Sequence, residues 1–135
     1  MKLAANYPGI DTWILNRLSK VAGFLGDYNT ICALGEDDSV LAAVAFDGFT
    51  PYECCIHLVV DDLRGVSRGS LREVFRYPFQ ACGLLRLSAS VSADNSRSIR
   101  LIERLGFTKE GVKRQSIDGI DEIIYGMLRK ECKWI

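Results

Sequence analysis

One histidine and one carboxylate stand out as residues able to move a proton. His57 and Glu53 both lie in the stretch Glu53 to Val60, which reads as a β-strand, and alternate residues of a strand share a face. Glu53, Cys55, His57 and Val59 therefore look one way, and Cys54, Ile56, Leu58 and Val60 the other. Of the two bases, imidazole is the better matched to neutral pH. They sit roughly 13 Å apart along the strand, so they form no dyad, and each is a separate candidate for taking a proton directly or through water. The alternatives are a structural histidine and a solvated carboxylate at a loop end.

Two further stretches could hold an anion and the chain attached to it. Arg64-Gly65-Val66-Ser67-Arg68-Gly69-Ser70-Leu71 follows that strand and opens a helix. Such a junction offers unpaired backbone amides and the positive end of a helix dipole, which suit a pyrophosphate, and glycine lets backbone approach closely. Arg64 and Arg68 are placed to meet phosphates; Arg72 and Arg76, one and two turns on, read as solvated. The second stretch runs from Asp94 to Gly111. Asp94 or Asn95 can cap a helix that ends on Gly106, and Ser98, Leu101, Ile102 and Leu105 fall on one face, one hydroxyl among three aliphatics.

The elements that position these residues follow from periodicity. Ile10, Trp13, Ile14, Leu18, Val21, Ala22 and Leu25 recur at helical spacing, which predicts a core-facing helix. Thr30 to Leu34 and the apolar run Val40 to Phe46 predict a hairpin. After the strand Glu53 to Val60 comes a helix over Ser67 to Cys82, kinked or shortened at Pro78. A strand over Leu84 to Val91, the helix just described, and a hairpin of Phe107 to Gln115 with Glu122 to Leu128 complete one α/β domain over residues 1–135, with a mixed sheet. Met1 to Ala5 leaves room for a vestigial strand.

Seventeen basic and seventeen acidic residues cancel, so no global field draws the chain to nucleic acid or an anionic membrane, and any anion site is local. No apolar run approaches the ~20 residues that cross a bilayer. Cys32, Cys54, Cys55, Cys82 and Cys132 show neither CxxC spacing nor a neighbouring histidine. Reduced thiols in a cytoplasm, with neither disulfides nor a metal, are expected.

The combination Asn95-x-x-Ser98 followed by Glu103-Arg104-Leu105-Gly106-Phe107-x-x-Glu110-Gly111 resembles the last helix-to-strand passage of the Gcn5-related N-acetyltransferases, the GNAT family, where it lies beside the pantetheine arm of acetyl-CoA. The loop Arg64 to Ser70 is similar to that family's pyrophosphate loop, Arg/Gln-x-x-Gly-x-Gly/Ala, with Ser67 replacing the first glycine. The resemblance implies the GNAT (acyl-CoA N-acyltransferase) fold, a mixed, mostly antiparallel sheet flanked by helices, here with a shortened N-terminus. It also implies acetyl-CoA as acyl donor, a primary amine as acceptor, and a backbone amide of Leu58, Val59 or Val60 on the thioester oxygen. Arg64, Gly65, Val66, Ser67, Arg68, Gly69, Ser70, Asn95 and Ser98 would hold the cofactor, with His57 or Glu53 as base. The family's tyrosine acid, seven residues after the helix asparagine, falls on Ile102, which leaves Tyr125 or water to protonate the thiolate.

From residue 40 onward the chain looks like short acetyltransferase-like proteins of tailed bacteriophages, which share endings such as Arg-Lys-Glu-Cys-Lys-Trp. It also looks like acetyltransferases of protein N-termini. Two rivals follow from the residues. Ile102 and the short front suit a silent acyl-CoA-binding or protein-interaction module, and exposed apolar Phe49 and Trp134 would suit a dimerising or virion-associated factor. A sheet edge at either hairpin could pair with a second copy to give a homodimer.

Overall fold

The computed structural model describes residues 1–18 and 23–135. Seven strands form one sheet in the order β1-β2-β3-β4-β5-β7-β6. They are β1 (Lys2–Ala5), β2 (Asn29–Leu34), β3 (Val40–Asp47), β4 (Glu53–Val60), β5 (Arg86–Ser92), β6 (Thr108–Ile117) and β7 (Ile120–Leu128). All neighbours are antiparallel except β4 and β5, which run parallel. Three helices flank the sheet: α1 (Ile10–Arg17), α2 (Arg68–Arg76) and α3 (Ser96–Leu105).

Alternation along each strand divides the core between two faces. Toward α2 and α3 lie Phe46, Cys54, Ile56, Leu87, Tyr125 and Met127, packed against Val74, Phe75, Ile102 and Leu105. Toward α1 lie Cys32, Leu34, Ala43 and Ala45, under Ile10 and Ile14. His57 and Glu53 project on the α1 side, opposite the larger core, as the alternation of β4 requires.

Several boundaries differ from the periodicity. α1 ends at Arg17 with Leu18 as its cap, and Arg17 is held by Asp61 at 3.0 Å and stacked on Trp13. Leu25 is 71% exposed and outside the core, while Val21 and Ala22 lie outside the described residues. Pro78, lacking an N–H, ends the regular helix at Arg76 and converts Tyr77–Ala81 into one wide π turn. Trp134 is half-buried on the α3-side core and its Nε1 donates to the Leu105 carbonyl at 2.9 Å, so it is an anchor of the C-terminal segment and no exposed apolar end.

The base of the sheet is closed by charge. Arg86 on β5 meets Glu110 at 2.9 Å and Glu53 at 3.6 Å, and Ser88 donates to Glu53 at 2.7 Å. Glu110 lies over Gly126, where an added Cβ would come within 2.4 Å of the carboxylate. The Arg86 guanidinium holds the Glu110 carboxyl below its ordinary range. A lowered folded pKa stabilises above the unfolded value, and that contribution disappears as pH falls through the folded one. Wild type is therefore expected to exceed Glu110→Gln in urea midpoint at about pH 7, with the difference lost as pH falls through the folded titration of the carboxyl.

Candidate active site

The parallel pair β4 and β5 stays in register only over Glu53–Cys55, opposite Arg86–Ser88. Beyond Cys55 the strands part, and a cleft of about 550 Å³ opens between them. Its walls include Ile56, His57 and Leu58 from β4 and Ala89 to Ser92 from β5; Asn95, Ser98 and Ile102 come from α3 and its cap, and Glu122 from β7.

The register decides which backbone groups of β4 face this cleft. Asp61 donates to the Leu41 carbonyl across from it, and Val59 and His57 follow at two-residue intervals opposite Ala43 and Ala45. Antiparallel ladders exchange bonds at alternate pairs, so the Val59 amide belongs to the β3 ladder. Even-numbered residues point the other way, toward β5. The Ile56 amide completes the last rung with β5, and that of Leu58 looks into the cleft; Val60 points its amide the same way but lines the small apolar cavity beside α2 and not the cleft. Arg97 donates to the Val60 carbonyl at 3.4 Å, consistent with that orientation.

Beyond the end of β4 the chain turns into α2, and of this turn Gly65, Val66 and Ser70 line a smaller neighbouring cavity and not the cleft. Ser67 caps the helix: its Oγ accepts from the Ser70 amide at 3.0 Å, and Ser70 Oγ accepts from the Ser67 amide at 2.8 Å. Serine at this position supplies a cap where glycine would supply only freedom, and Ser67→Ala is expected to lower unfolding free energy by about 1 kcal/mol in urea titration. The amides of Arg64, Gly65 and Val66 are bonded within the turn. Gly65 is a packing glycine, since an added Cβ would stand 2.9 Å from that of Leu41. Of this turn, Arg68 and Gly69, at the first two helical positions, keep amides without an acceptor among the described residues, and the space over Gly69 is open. Arg68 is exposed and makes no ion pair among the described residues, whereas Arg64 is committed to Asp62 at 2.7 Å. Val66 lines a small apolar cavity of about 40 Å³ between α2 and the sheet.

α3 presents its N-terminus to the same cleft. Asn95 Oδ1 accepts from the Ser98 amide at 3.1 Å, and Gly106 ends the helix at φ 110°. Asn95 and Ser98 line the cleft, and Ile102 forms apolar wall at the position where a phenol was sought. Tyr125 does not replace it. The ring is buried in the α3-side core, its hydroxyl donates to Glu103 at 3.0 Å, and it is not part of the lining; burial pushes the phenol up.

His57 borders the cleft, while Glu53 lies at the closed end in the Arg86 and Ser88 network, so the two do not meet. The partner of His57 is Asp47, with Nε2 and Oδ1 2.8 Å apart. Sequence reading passed over Asp47 because it follows an apolar run and precedes Gly48, as a turn residue does. The only available signal was its two-residue spacing from Ala45, which puts it on the strand face of the residue opposite His57. No cysteine lines the cleft among the described residues, and burial holds the Cys54 thiol up at about 12, so neither offers a thiolate nucleophile. No cluster of three metal-ligating side chains occurs among the described residues, nor any helix long and apolar enough to cross a membrane.

No family model matches the chain. Over 51 residues it is 45% identical to the uncharacterized N-acetyltransferase YoaA of Bacillus subtilis, a match covering 38% of this chain and 29% of that one. The chain therefore spans less than a third of that relative's length. One variant of the spermidine N-acetyltransferase SpeG from Vibrio cholerae superposes with a TM-score of 0.79 at 14% identity, over 99% of this chain and 95% of that one. A GNAT-family acetyltransferase of Bacillus anthracis gives 0.63 at 20% identity over 77% and 67%. The parted parallel strands, the capped loop above them and the superpositions agree: this chain has the Gcn5-related N-acetyltransferase fold.

Proposed function

We propose that the chain is an N-acetyltransferase that moves an acetyl group from acetyl-CoA to a primary amine. The observation that carries this reading is the separation of β4 from β5 beyond Cys55, which turns the Leu58 amide into a cleft that the N-terminus of α3 borders. An extended acylated arm fits such a slot as a substitute strand, and Arg68 with the Arg68 and Gly69 amides suits its phosphates. Acyl transfer needs a neutral amine, a polarised thioester carbonyl and a proton for the departing thiolate. His57 serves the first and the Leu58 amide the second. With no phenol in the lining, water serves the third.

Spermidine, the acceptor named for the Vibrio proteins, is one of the primary amines to test; protein N-termini and lysine side chains are others. The free thiols and the phage-like C-terminal half support production in a bacterial cytoplasm from a phage gene. The outer strands β1 and β6 leave edges on which a homodimer could form. The deciding experiment is calorimetric titration with acetyl-CoA and CoA followed by an amine screen. Micromolar binding and turnover are expected; no binding at millimolar cofactor would overturn the assignment. Ile102 in place of a phenol favours a second reading, a silent acyl-CoA-binding module, which binding without turnover of any amine would support.

A further inference from the structure

We propose that Asp47 is the positioning residue of the site: it fixes the His57 ring with Nε2–H toward the interior, so that Nδ1 is the nitrogen that receives the proton of the incoming amine. This rests on the acetyltransferase reading and adds to it the group that orients the base.

Asp47 is 3% exposed, and an isolated carboxylate is not buried without strong partners. Both its oxygens are occupied. Oδ1 lies 2.8 Å from His57 Nε2, and Oδ2 accepts from the Leu25 amide at 2.8 Å. Gly48 in turn donates to the Leu25 carbonyl at 3.0 Å, so segment 23–28 is clipped onto the end of β3. From that segment the Phe24 ring tilts against the imidazole at 6.1 Å. Asp47 thus bonds the inner edge of the ring and Phe24 packs beside it.

A carboxylate that accepts from Nε2 requires the proton there, which leaves the lone pair of a neutral imidazole on Nδ1. Nδ1 has no hydrogen bond among the described residues, and no buried side-chain nitrogen or oxygen among them lacks a partner. Nδ1 therefore keeps some contact with solvent, on a side chain that is 21% exposed and borders the cleft. An ammonium ion arriving there gives one proton to Nδ1, and its nitrogen lone pair then forms the N–C bond with the thioester carbonyl. Collapse of the tetrahedral adduct breaks the C–S bond, the thiolate leaves with the bonding pair and takes a proton from water, and the amide nitrogen loses its second proton to solvent.

The test uses the fact that His57 is the sole histidine, so its ring nitrogens are the only imidazole signals in the spectrum. Two-bond ¹H–¹⁵N correlation of the full-length protein is expected to show the Nε2–H tautomer. Asp47→Asn keeps an oxygen for the Leu25 amide and turns an NH₂ toward Nε2, so the spectrum should switch to Nδ1–H. Turnover with the best amine should fall about 100-fold or more in kcat, with little change in KM for acetyl-CoA. Asp47→Glu should restore the wild-type tautomer and part of kcat. A wild-type spectrum of the Nδ1–H form, an unchanged tautomer in Asp47→Asn, or kcat retained within twofold would each overturn the proposal. If wild type turns over no amine, the acetyltransferase reading falls and the proton-acceptor role with it. The spectra then still decide whether Asp47 fixes the ring.

Discussion

Arg68→Glu combined with Gly69→Asp is expected to weaken acetyl-CoA binding by about 100-fold or more, measured by calorimetry, without unfolding the protein. Among the described residues, these two hold amides of the loop that no other group uses, and Arg68 is the loop's cation outside an ion pair. Each charge-assisted hydrogen bond lost is worth roughly 1.5–3 kcal/mol, and the new carboxylates would repel the phosphates. Stability argues the other way. Acidic residues in the first turn of a helix complement its dipole, and the added Cβ at 69 meets nothing closer than Ser67 Oγ at 3.8 Å. The double variant should thus match or exceed wild type in thermal midpoint while losing cofactor. An unchanged dissociation constant would sink the assignment of the loop. As a control, Arg64→Gln removes a guanidinium already committed to Asp62 and is expected to change affinity by less than about threefold.

The contrast between those arginines shows where sequence reading reaches its limit. Strands β2 to β5 and the capped helix α3 could be read directly, because alternation, helical spacing and the Asn95 cap are local properties of the chain. The face of β4 that carries Glu53 and His57 was legible for the same reason. Pairing was not. Whether the Val59 amide is free depends on β3 lying opposite it, and the role of Asp47 depends on the same register. Gly65 looked like a phosphate-loop glycine, but contact with Leu41 and Ala42 makes it a packing residue. Tyr125 was an aromatic on a strand of known face, yet only tertiary structure puts its hydroxyl on Glu103 and away from the cleft. Charge composition likewise hid the clamp of Glu53, Arg86 and Glu110, since its members come from three strands. That clamp matters to the site, because it holds β4 and β5 together at one end and leaves the other end to open.

The second large effect concerns a backbone group, and proline is the substitution that reaches it. Leu58→Pro removes an N–H that faces the cleft, while its neighbours keep their bonds to β3. Proline also demands an extended conformation of the residue before it, and His57 already lies in a strand. If the Leu58 amide polarises the thioester carbonyl, kcat is expected to fall about 10²–10³-fold, the loss typical of a single oxyanion donor. The pyrrolidine ring enters the space beside the strand, so CoA affinity measured in parallel separates a lost donor from a blocked cleft: the assignment requires kcat to fall further than affinity. Val59→Pro is the structural counterpart. It deletes a ladder bond to β3 and is expected to lower the urea midpoint well beyond the change at 58. Full activity in Leu58→Pro with loss in Val60→Pro would move the donor two residues along the strand. Activity retained in both would mean that no amide of β4 serves the reaction.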